Sequence, residues 1–257
     1  MKNLIYLFLL LFFLQGPVQA QKLPNVQKQS LRIPNNLKID GLADEWGNNF
    51  AAYNHATDLA YTVANNDTML YFIIKASDMQ TIYKILNSGM VLTINTNSKN
   101  KTKGVMQIAY PLFGRKNYPM IELRDNPQLN KKMVTNTAKV DSFRISINKE
   151  LAKRDREIKV QGLQSVPDQI MSIFNTYSIS VSESFDRMFN YNIEFQIPLA
   201  YLNMNIKRTT PFYYNITVIG ANSSLPINTR ITVSIIKPQH MGALYDTDFW
   251  GGYILAK

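Results

Sequence analysis

From residue 30 onwards, apolar and polar side chains alternate over short segments, which is the pattern of β-strands. These segments are rich in Ile, Val, Tyr, Phe and Thr, and they end at Asn, Asp, Gly, Ser or Pro. The pattern predicts strands at residues 58–64, 69–76, 90–95, 104–110, 143–147, 158–163, 176–182, 189–197, 212–219, 230–236 and 250–255. Many short strands with little helix predict an all-β fold, an antiparallel β-sandwich with one or two short helices.

In two segments the pattern predicts which faces of the strand are covered and which lie in water. Residues 71–76 carry large apolar groups on both faces, which predicts a central strand that is covered on both sides. Residues 191–197 alternate strictly, which predicts one buried face and one face in water. Helical spacing of apolar residues occurs at 79–87, and a single helical turn is predicted at 198–202, where proline takes an early position.

The first residues predict export. Lys2 precedes an apolar run at 4–14, and Val18 and Ala20 supply the small residues that signal peptidases prefer. The run is much shorter than the ~20 residues of a membrane span. We therefore expect a signal peptide at 1–20 and a single domain at 21–257, with 21–34 as a candidate loose lead-in. The protein would then work in the periplasm, outside the cell or on its surface, with no transmembrane segment after cleavage.

Composition narrows the chemistry and the partners. The chain has no cysteine, which excludes disulfides, zinc–cysteine sites and a thiol nucleophile. Its net charge is +10, which in an exported protein favours an anionic polysaccharide or envelope surface over nucleic acid. A solubilising surface with no specific partner is the alternative. Two charged segments, 97–104 and 149–157, are predicted as exposed loops, although 149–157 also places opposite charges at helical i,i+4 spacing.

No motif predicts catalysis. There is no Gly-x-Ser-x-Gly elbow and no phosphate-binding loop. Asp44 and Glu45 are adjacent and Asp246 and Asp248 lie two apart, but neither pair belongs to a hydrolase motif. Calcium at Asp246 and Asp248, or near Asp40 and Asp44, has no supporting loop motif, so we predict no cofactor and no metal site.

Residues 37–46 contain the strongest local signature, in which an Asp40-Gly41 turn is followed by Asp44 and Trp46. This segment resembles the opening of the family 9 carbohydrate-binding modules, and residues 70–78, 191–202 and 248–255 resemble later segments of the same family. The resemblance is closest to exported members from Bacteroidetes-type bacteria. It implies a β-sandwich of the immunoglobulin or jelly-roll type, in which Asp40, Gly41, Asp44 and Trp46 form a structural motif.

The same resemblance implies sugar binding between exposed aromatic rings. Trp46 belongs to the structural motif and Trp250 lies in the closing strand, so tyrosines are the candidates to replace a tryptophan clamp. Core packing is the alternative role for each of them. The ligand-binding candidates are Tyr110, Tyr118, Tyr213 and Tyr245.

These observations predict a secreted, non-catalytic module that binds carbohydrate. A structural or partner-binding envelope protein without a sugar ligand is the alternative, and a glycoside hydrolase is the least favoured function. The segment Asp67-Thr68-Met69 also matches the acceptor pattern of O-glycosylation in Bacteroidetes-type bacteria. Thr68 is therefore a candidate modification site, the alternative being an ordinary threonine in a turn.

Overall fold

The computed structural model describes residues 22–47, 49–112, 123, 137–223 and 244–257. In chain order its strands are β1 (Ala52–Asn54), β2 (Leu59–Asn65), β3 (Met69–Ala76), β4 (Met90–Asn95), β5 (Val105–Tyr110), β6 (Glu157–Gln161), β7 (Gln169–Ser172), β8 (Ser180–Phe185), β9 (Tyr191–Pro198), β10 (Phe212–Val218) and β11 (Thr247–Tyr253). The helices are α1 (Met79–Ser88) and α2 (Thr137–Arg154), and a 3-10 turn spans Leu199–Leu202.

The strands form two antiparallel sheets that pack face to face, so the predicted all-β sandwich is confirmed. One sheet has five strands in the order β1-β2-β3-β9-β8, and the other has six in the order β11-β10-β4-β5-β6-β7. Between them lies one continuous core, to which both sheets contribute fully buried aromatic rings such as Phe72, Phe195 and Phe212. The Tyr214 hydroxyl crosses this core and donates a 3.0 Å hydrogen bond to the Tyr61 hydroxyl of the opposite sheet.

Most predicted strands are present, and β3 and β4 match their predicted bounds. The predicted strand at 143–147 is wrong, because these residues lie in α2. Ile147 and Leu151 are one helical turn apart and buried, whereas Ile145 is 60% exposed. The charged segment 149–157 is the end of α2 and the start of β6 rather than a loop. The predicted strand at 230–236 lies outside the described residues.

The five-stranded sheet is covered on its outer face. As predicted, β3 is central, with Ile73 buried beneath Ala43 and Phe50. The prediction of a wet face on β9 is wrong, because Asn192 and Glu194 are 0% and 1% exposed. Both side chains belong to the face opposite the core, and the segment after residue 40 lies over it.

Two side-chain amides close the edges of the five-stranded sheet. Beyond the end of β1, Gln27 accepts from the Val63 N–H at 2.7 Å and donates to the Val63 carbonyl at 2.8 Å. On β8, Asn148 of α2 accepts from the Phe185 N–H at 2.8 Å and donates to its carbonyl at 3.0 Å. Each amide therefore makes the two main-chain hydrogen bonds that one residue of a neighbouring strand would make.

The segment that carries Gln27 is attached to the sheet. Gln27 is 4% exposed, and further along Leu31 accepts from the Asn65 N–H while Ile33 donates to the Asn65 carbonyl. The expectation of a loose lead-in at 21–34 is therefore wrong for these residues. Side-chain and main-chain hydrogen bonds to β2 hold them along its edge.

Candidate functional site

Strand alternation places a row of polar and aromatic side chains on the outer face of the six-stranded sheet. On β10, Phe212, Tyr214, Ile216 and Val218 are buried in the core, so the residues between them point outward. On β11, Phe249 and Tyr253 point inward in the same way. We call this outer side of the two strands the β10–β11 face, and its residues are Tyr213, Asn215, Thr217, Asp248 and Trp250. Asp248 is exposed and the two aromatic residues are half-buried, whereas Asn215 and Thr217 are 0% and 2% exposed.

Two aromatic rings stand on this face. Trp250 pairs with Asn215 across the strands and Tyr213 pairs with Gly252, so the two rings occupy diagonal positions on neighbouring strands. Both residues are half-buried. A Cβ at Gly252 would lie 3.6 Å from the Tyr213 ring. Because glycine has no side chain, that edge of the ring is not covered by residue 252.

The polar side chains between the rings are fixed by one another. The Asn215 amide donates to Asp248 Oδ2 at 2.6 Å and to the Phe249 carbonyl at 2.8 Å. Its own carbonyl oxygen accepts from the Thr217 hydroxyl at 2.7 Å. Lys101 completes the network, because its Nζ lies 2.9 Å from Asp248 Oδ2. The face is therefore preorganised before any ligand arrives.

A basic loop borders the face. The loop between β4 and β5 occupies residues 96–104, and it is held by Asn95, which is 1% exposed. The Asn95 amide donates to the carbonyls of Asn100 and Lys103 at 3.1 and 2.9 Å, and its oxygen accepts two main-chain N–H groups of the loop. The loop places Lys99 Nζ 6.0 Å from the centre of the Tyr213 ring.

The four candidate tyrosines have different surroundings. Tyr213 belongs to the β10–β11 face, and Tyr245 is 65% exposed in the loop before β11. The prediction of Tyr110 as a ligand-binding residue is wrong, because its ring is 2% exposed and its hydroxyl donates to the Asp155 carbonyl at 3.2 Å. It packs in the core and offers no surface on which a sugar could stack. Tyr118 lies outside the described residues.

Tyr110 belongs to a buried polar cluster at the end of α2. The Arg154 guanidinium donates to the Asp155 carboxylate at 2.6 to 2.9 Å, and the Tyr191 hydroxyl donates to Glu183. Burial, and then the Asp155 charge, raises the pKa of Glu183 well above its ordinary value. These contacts join the end of α2 to β5, β8 and β9, which is a structural role.

The motif at 40–46 surrounds Glu194. The main-chain N–H groups of Asp40 and Gly41 donate to Glu194 Oε2 at 3.0 and 2.9 Å, and the Trp46 indole donates to Oε1 at 3.0 Å. Burial raises the pKa of Glu194 to about 7, although the three donors favour its charged form. Gly41 is required here, because its φ is 81° and a Cβ would lie 2.3 Å from the Glu183 main chain.

The remaining motif side chains hold local turns. The exposed Asp40 carboxylate accepts from the Leu42 N–H at 2.9 Å. Asp44 is exposed, and its carbonyl accepts from the Gly47 N–H at 3.0 Å. Trp46 is half-buried and packs with the small cluster that contains Ala43 and Phe50.

Two of the carboxylates considered for calcium or hydrolysis, Asp246 and Asp248, make hydrogen bonds within the protein. Asp246 accepts from the Gly220 N–H at 2.7 Å and from the Ser223 hydroxyl at 2.8 Å, while Asp248 belongs to the network of the β10–β11 face. Within the described ranges, no three His, Cys, Asp or Glu side chains cluster closely enough to hold a metal ion.

The sequence does not point to Asn215 or Thr217 as site residues, and it offers Asp248 and Trp250 only for a calcium site and a tryptophan clamp that it does not support. The signal was present in the alternation, since Tyr213, Asn215 and Thr217 occupy every second position of β10 and Asp248 and Trp250 do the same on β11. The pairing of these two strands, which puts both rows on one surface, follows only from the three-dimensional structure.

Comparison with known proteins finds no family model, no curated protein and no solved structure that matches this chain. Neither helix in the described part of the chain has the length and apolar character that a membrane crossing requires.

Proposed function

We propose that this chain is an exported, non-catalytic module, similar to the family 9 carbohydrate-binding modules, that binds carbohydrate on the β10–β11 face. One observation carries the proposal. Trp250 and Tyr213 are two half-buried rings on the same face of the sheet, and the exposed Asp248 carboxylate lies beside them, held by the buried Asn215 amide.

This combination fits the chemistry of a sugar. A pyranose has an apolar C–H face that packs against an aromatic ring, and its hydroxyl groups lie around the rim, where they exchange hydrogen bonds with polar side chains. Diagonal rings on adjacent strands provide two stacking positions along one chain of sugars. Because the strands and the Asn215 network hold the face in place, binding costs little ordering of the protein.

The composition of the face supports binding rather than hydrolysis. Glycoside hydrolysis needs two carboxyl groups on either side of one bond. The β10–β11 face contains one, Asp248, which interacts with Lys101 and Asn215. A carboxylate held in this way is suited to accept a hydrogen bond from a sugar hydroxyl.

The test is retention on insoluble polysaccharides together with a glycan array, using the mature protein. Trp250→Ala and Tyr213→Ala should each weaken retention by about fivefold or more, since each removes a stacking ring. Phe174→Ala is the matched control, because Phe174 is 75% exposed beyond the far edge strand β7 and should leave retention unchanged.

Two results would overturn the proposal. Retention that survives both ring variants would place the sugar elsewhere on the molecule. Failure of the parent protein to bind any glycan on the array or any insoluble polysaccharide would favour the alternative, a structural or partner-binding envelope protein.

A further inference from the structure

We infer that the carbohydrate bound on the β10–β11 face is acidic, and that the loop at 96–104 contacts its carboxylate or sulfate groups. This inference rests on the proposed function and adds the chemical class of the ligand. It follows from the placement of the loop, the charges that it carries and the position of one lysine over a stacking ring.

The loop has a defined shape. Asn95 belongs to the outer face, because it pairs with Tyr213 across β4 and β10. Its buried amide makes four hydrogen bonds to main-chain groups of the loop, and Asn100 fixes the far side by accepting from the N–H groups of Thr102 and Lys103. The lysines therefore project from a turn whose main chain is fixed by hydrogen bonds.

The charges at this end of the face are predominantly positive. The loop carries Lys99, Lys101 and Lys103 and contains no acidic residue. Arg208 adds a fourth cation, because its guanidinium donates to the Thr96 carbonyl at 2.6 Å. Asp248 is the acid of the face and interacts with Lys101 at 2.9 Å. The site therefore keeps a net positive charge beside its aromatic rings.

Lys99 is the residue placed to meet a charged sugar. Its side chain is exposed and its Nζ lies 6.0 Å from the centre of the Tyr213 ring. Because this Nζ lies over the face of Tyr213, a sugar that stacks on the ring displaces the exposed ammonium group to the sugar's rim, where it meets the acidic group. A neutral sugar would leave the lysine without a partner on the ligand, so the geometry selects for a uronic acid or a sulfated sugar.

The experiment uses two pairs of soluble polymers in affinity electrophoresis or calorimetry. Polygalacturonate is compared with its carboxyl-reduced derivative, and dextran sulfate with dextran, so that each acid has a neutral polymer of the same backbone. Vesicles of anionic phospholipid form a separate arm. Lys99→Gln is compared with Lys28→Gln, a matched removal of one exposed charge on the segment that runs along β2.

The parent protein should bind at least one acidic polymer more tightly than its neutral partner, and the affinity should fall with added salt. Lys99→Gln should weaken binding to that polymer about two- to fivefold and reduce the salt dependence, which is the effect expected of one exposed charge. Lys28→Gln should leave both unchanged, and Trp250→Ala should weaken binding as the proposed function requires. The preferred polymer shows whether the acid is a carboxylate or a sulfate.

The failures are distinguishable. If neutral polymers bind as well as acidic ones and Trp250→Ala weakens both, the inference is wrong and the proposed function stands. If Lys28→Gln weakens acidic binding as much as Lys99→Gln, the attraction belongs to the whole basic surface and the inference is wrong. Binding to anionic vesicles with no binding to any polymer would overturn both.

Discussion

At the scale of the residue, Glu194 explains why the segment at 40–46 is attached to the sheet. Its carboxylate accepts three N–H groups from that segment, and it lies on the outer face of β9 with 1% of its surface exposed. Removing any donor leaves a buried oxygen short of a partner, and removing the ring of Trp46 also uncovers the small apolar cluster beneath it.

Trp46→Ala should therefore lower the free energy of unfolding by about 2–4 kcal/mol, through lost packing and one lost indole hydrogen bond. Chemical denaturation gives the value. Trp46→Phe keeps most of the ring and should lose about half as much. Asp40→Ala removes one exposed turn hydrogen bond and should cost about 0.5–1 kcal/mol. A Trp46→Ala protein as stable as the parent would contradict the structural role of this residue.

Glu194 should also give the protein a pH-dependent stability. Its pKa is raised from 4.5 to about 7 in the folded state, so between these values the folded chain binds more protons than the unfolded chain. The free energy of unfolding should then fall as pH rises from 4.5 to 7, by on the order of 3 kcal/mol, and change little above pH 7 for this reason.

Urea denaturation across that pH range measures the slope, and Glu194→Gln should remove this part of it. Asp44→Asn is the control, because Asp44 is exposed and should leave the slope as it is. Parent and Glu194→Gln curves with the same slope would rule out Glu194 as the source.

At the scale of the element, the turn between β2 and β3 presents the candidate modification site. Thr68 is exposed, and the turn is held by Asn66, whose side-chain oxygen accepts from the N–H groups of Thr68 and Met69 at 2.9 and 2.7 Å. We propose that Thr68 carries an O-glycan in the native host. An ordered, exposed hydroxyl next to Asp67 is accessible to a transferase.

Mass spectrometry of native protein should show a hexose-containing mass added to the peptide with Thr68, and Thr68→Ala should abolish it. The peptide with Thr57 serves as the internal control, because Thr57 is 3% exposed. A Thr68 peptide of unmodified mass from the native host would refute the modification.

Elements differ in how well the sequence predicts them, and the reason is physical. The bounds of β3 and β4 follow from unbroken runs of β-favouring residues between turn residues. In α2, Phe143, Ile145 and Ile147 occupy every second position, as apolar residues do in a strand. The residues that are buried, Ile147 and Leu151, lie four apart, as in a helix. A segment of five residues is too short to distinguish the strand period of two from the helix period of 3.6. The face of β9 was mispredicted because its cover comes from a segment about 150 residues earlier in the chain.

The candidate site shows the same limit. Tyr213 could be selected from the sequence as one of several tyrosines, but its partnership with Trp250 depends on the register between β10 and β11. Tyr110 was selected with equal reason and is buried, because its strand β5 lies within the six-stranded sheet and its side chain faces the core. Alternation groups the residues of one strand by face, but it does not tell which strands are neighbours or which rings share a surface.

At the scale of the whole molecule, the two sheets are linked by a hydrogen bond between tyrosines. Tyr214 donates to the Tyr61 hydroxyl at 3.0 Å, and the same hydroxyl accepts from the Gln27 N–H at 3.0 Å. Tyr214→Phe should lower the free energy of unfolding by about 1 kcal/mol, and Tyr61→Phe by about 2 kcal/mol, since it leaves two donors unpaired.

Urea denaturation measures both changes, and Tyr213→Phe is the control on the neighbouring position that faces away from the core. It should change stability by less than about 0.5 kcal/mol. A larger loss for Tyr214→Phe than for Tyr61→Phe would contradict the shared role of the Tyr61 hydroxyl.

The two amides that close the five-stranded sheet bear on how the protein behaves when it is crowded. An open strand edge is a template on which another chain can add its own strand, and repeated addition produces fibrils. Gln27 and Asn148 occupy the main-chain groups of Val63 and Phe185 that an incoming strand would use. A chain without disulfides is in this way protected against polymerisation at these two edges, because its own side chains already occupy main-chain groups that an added strand would need.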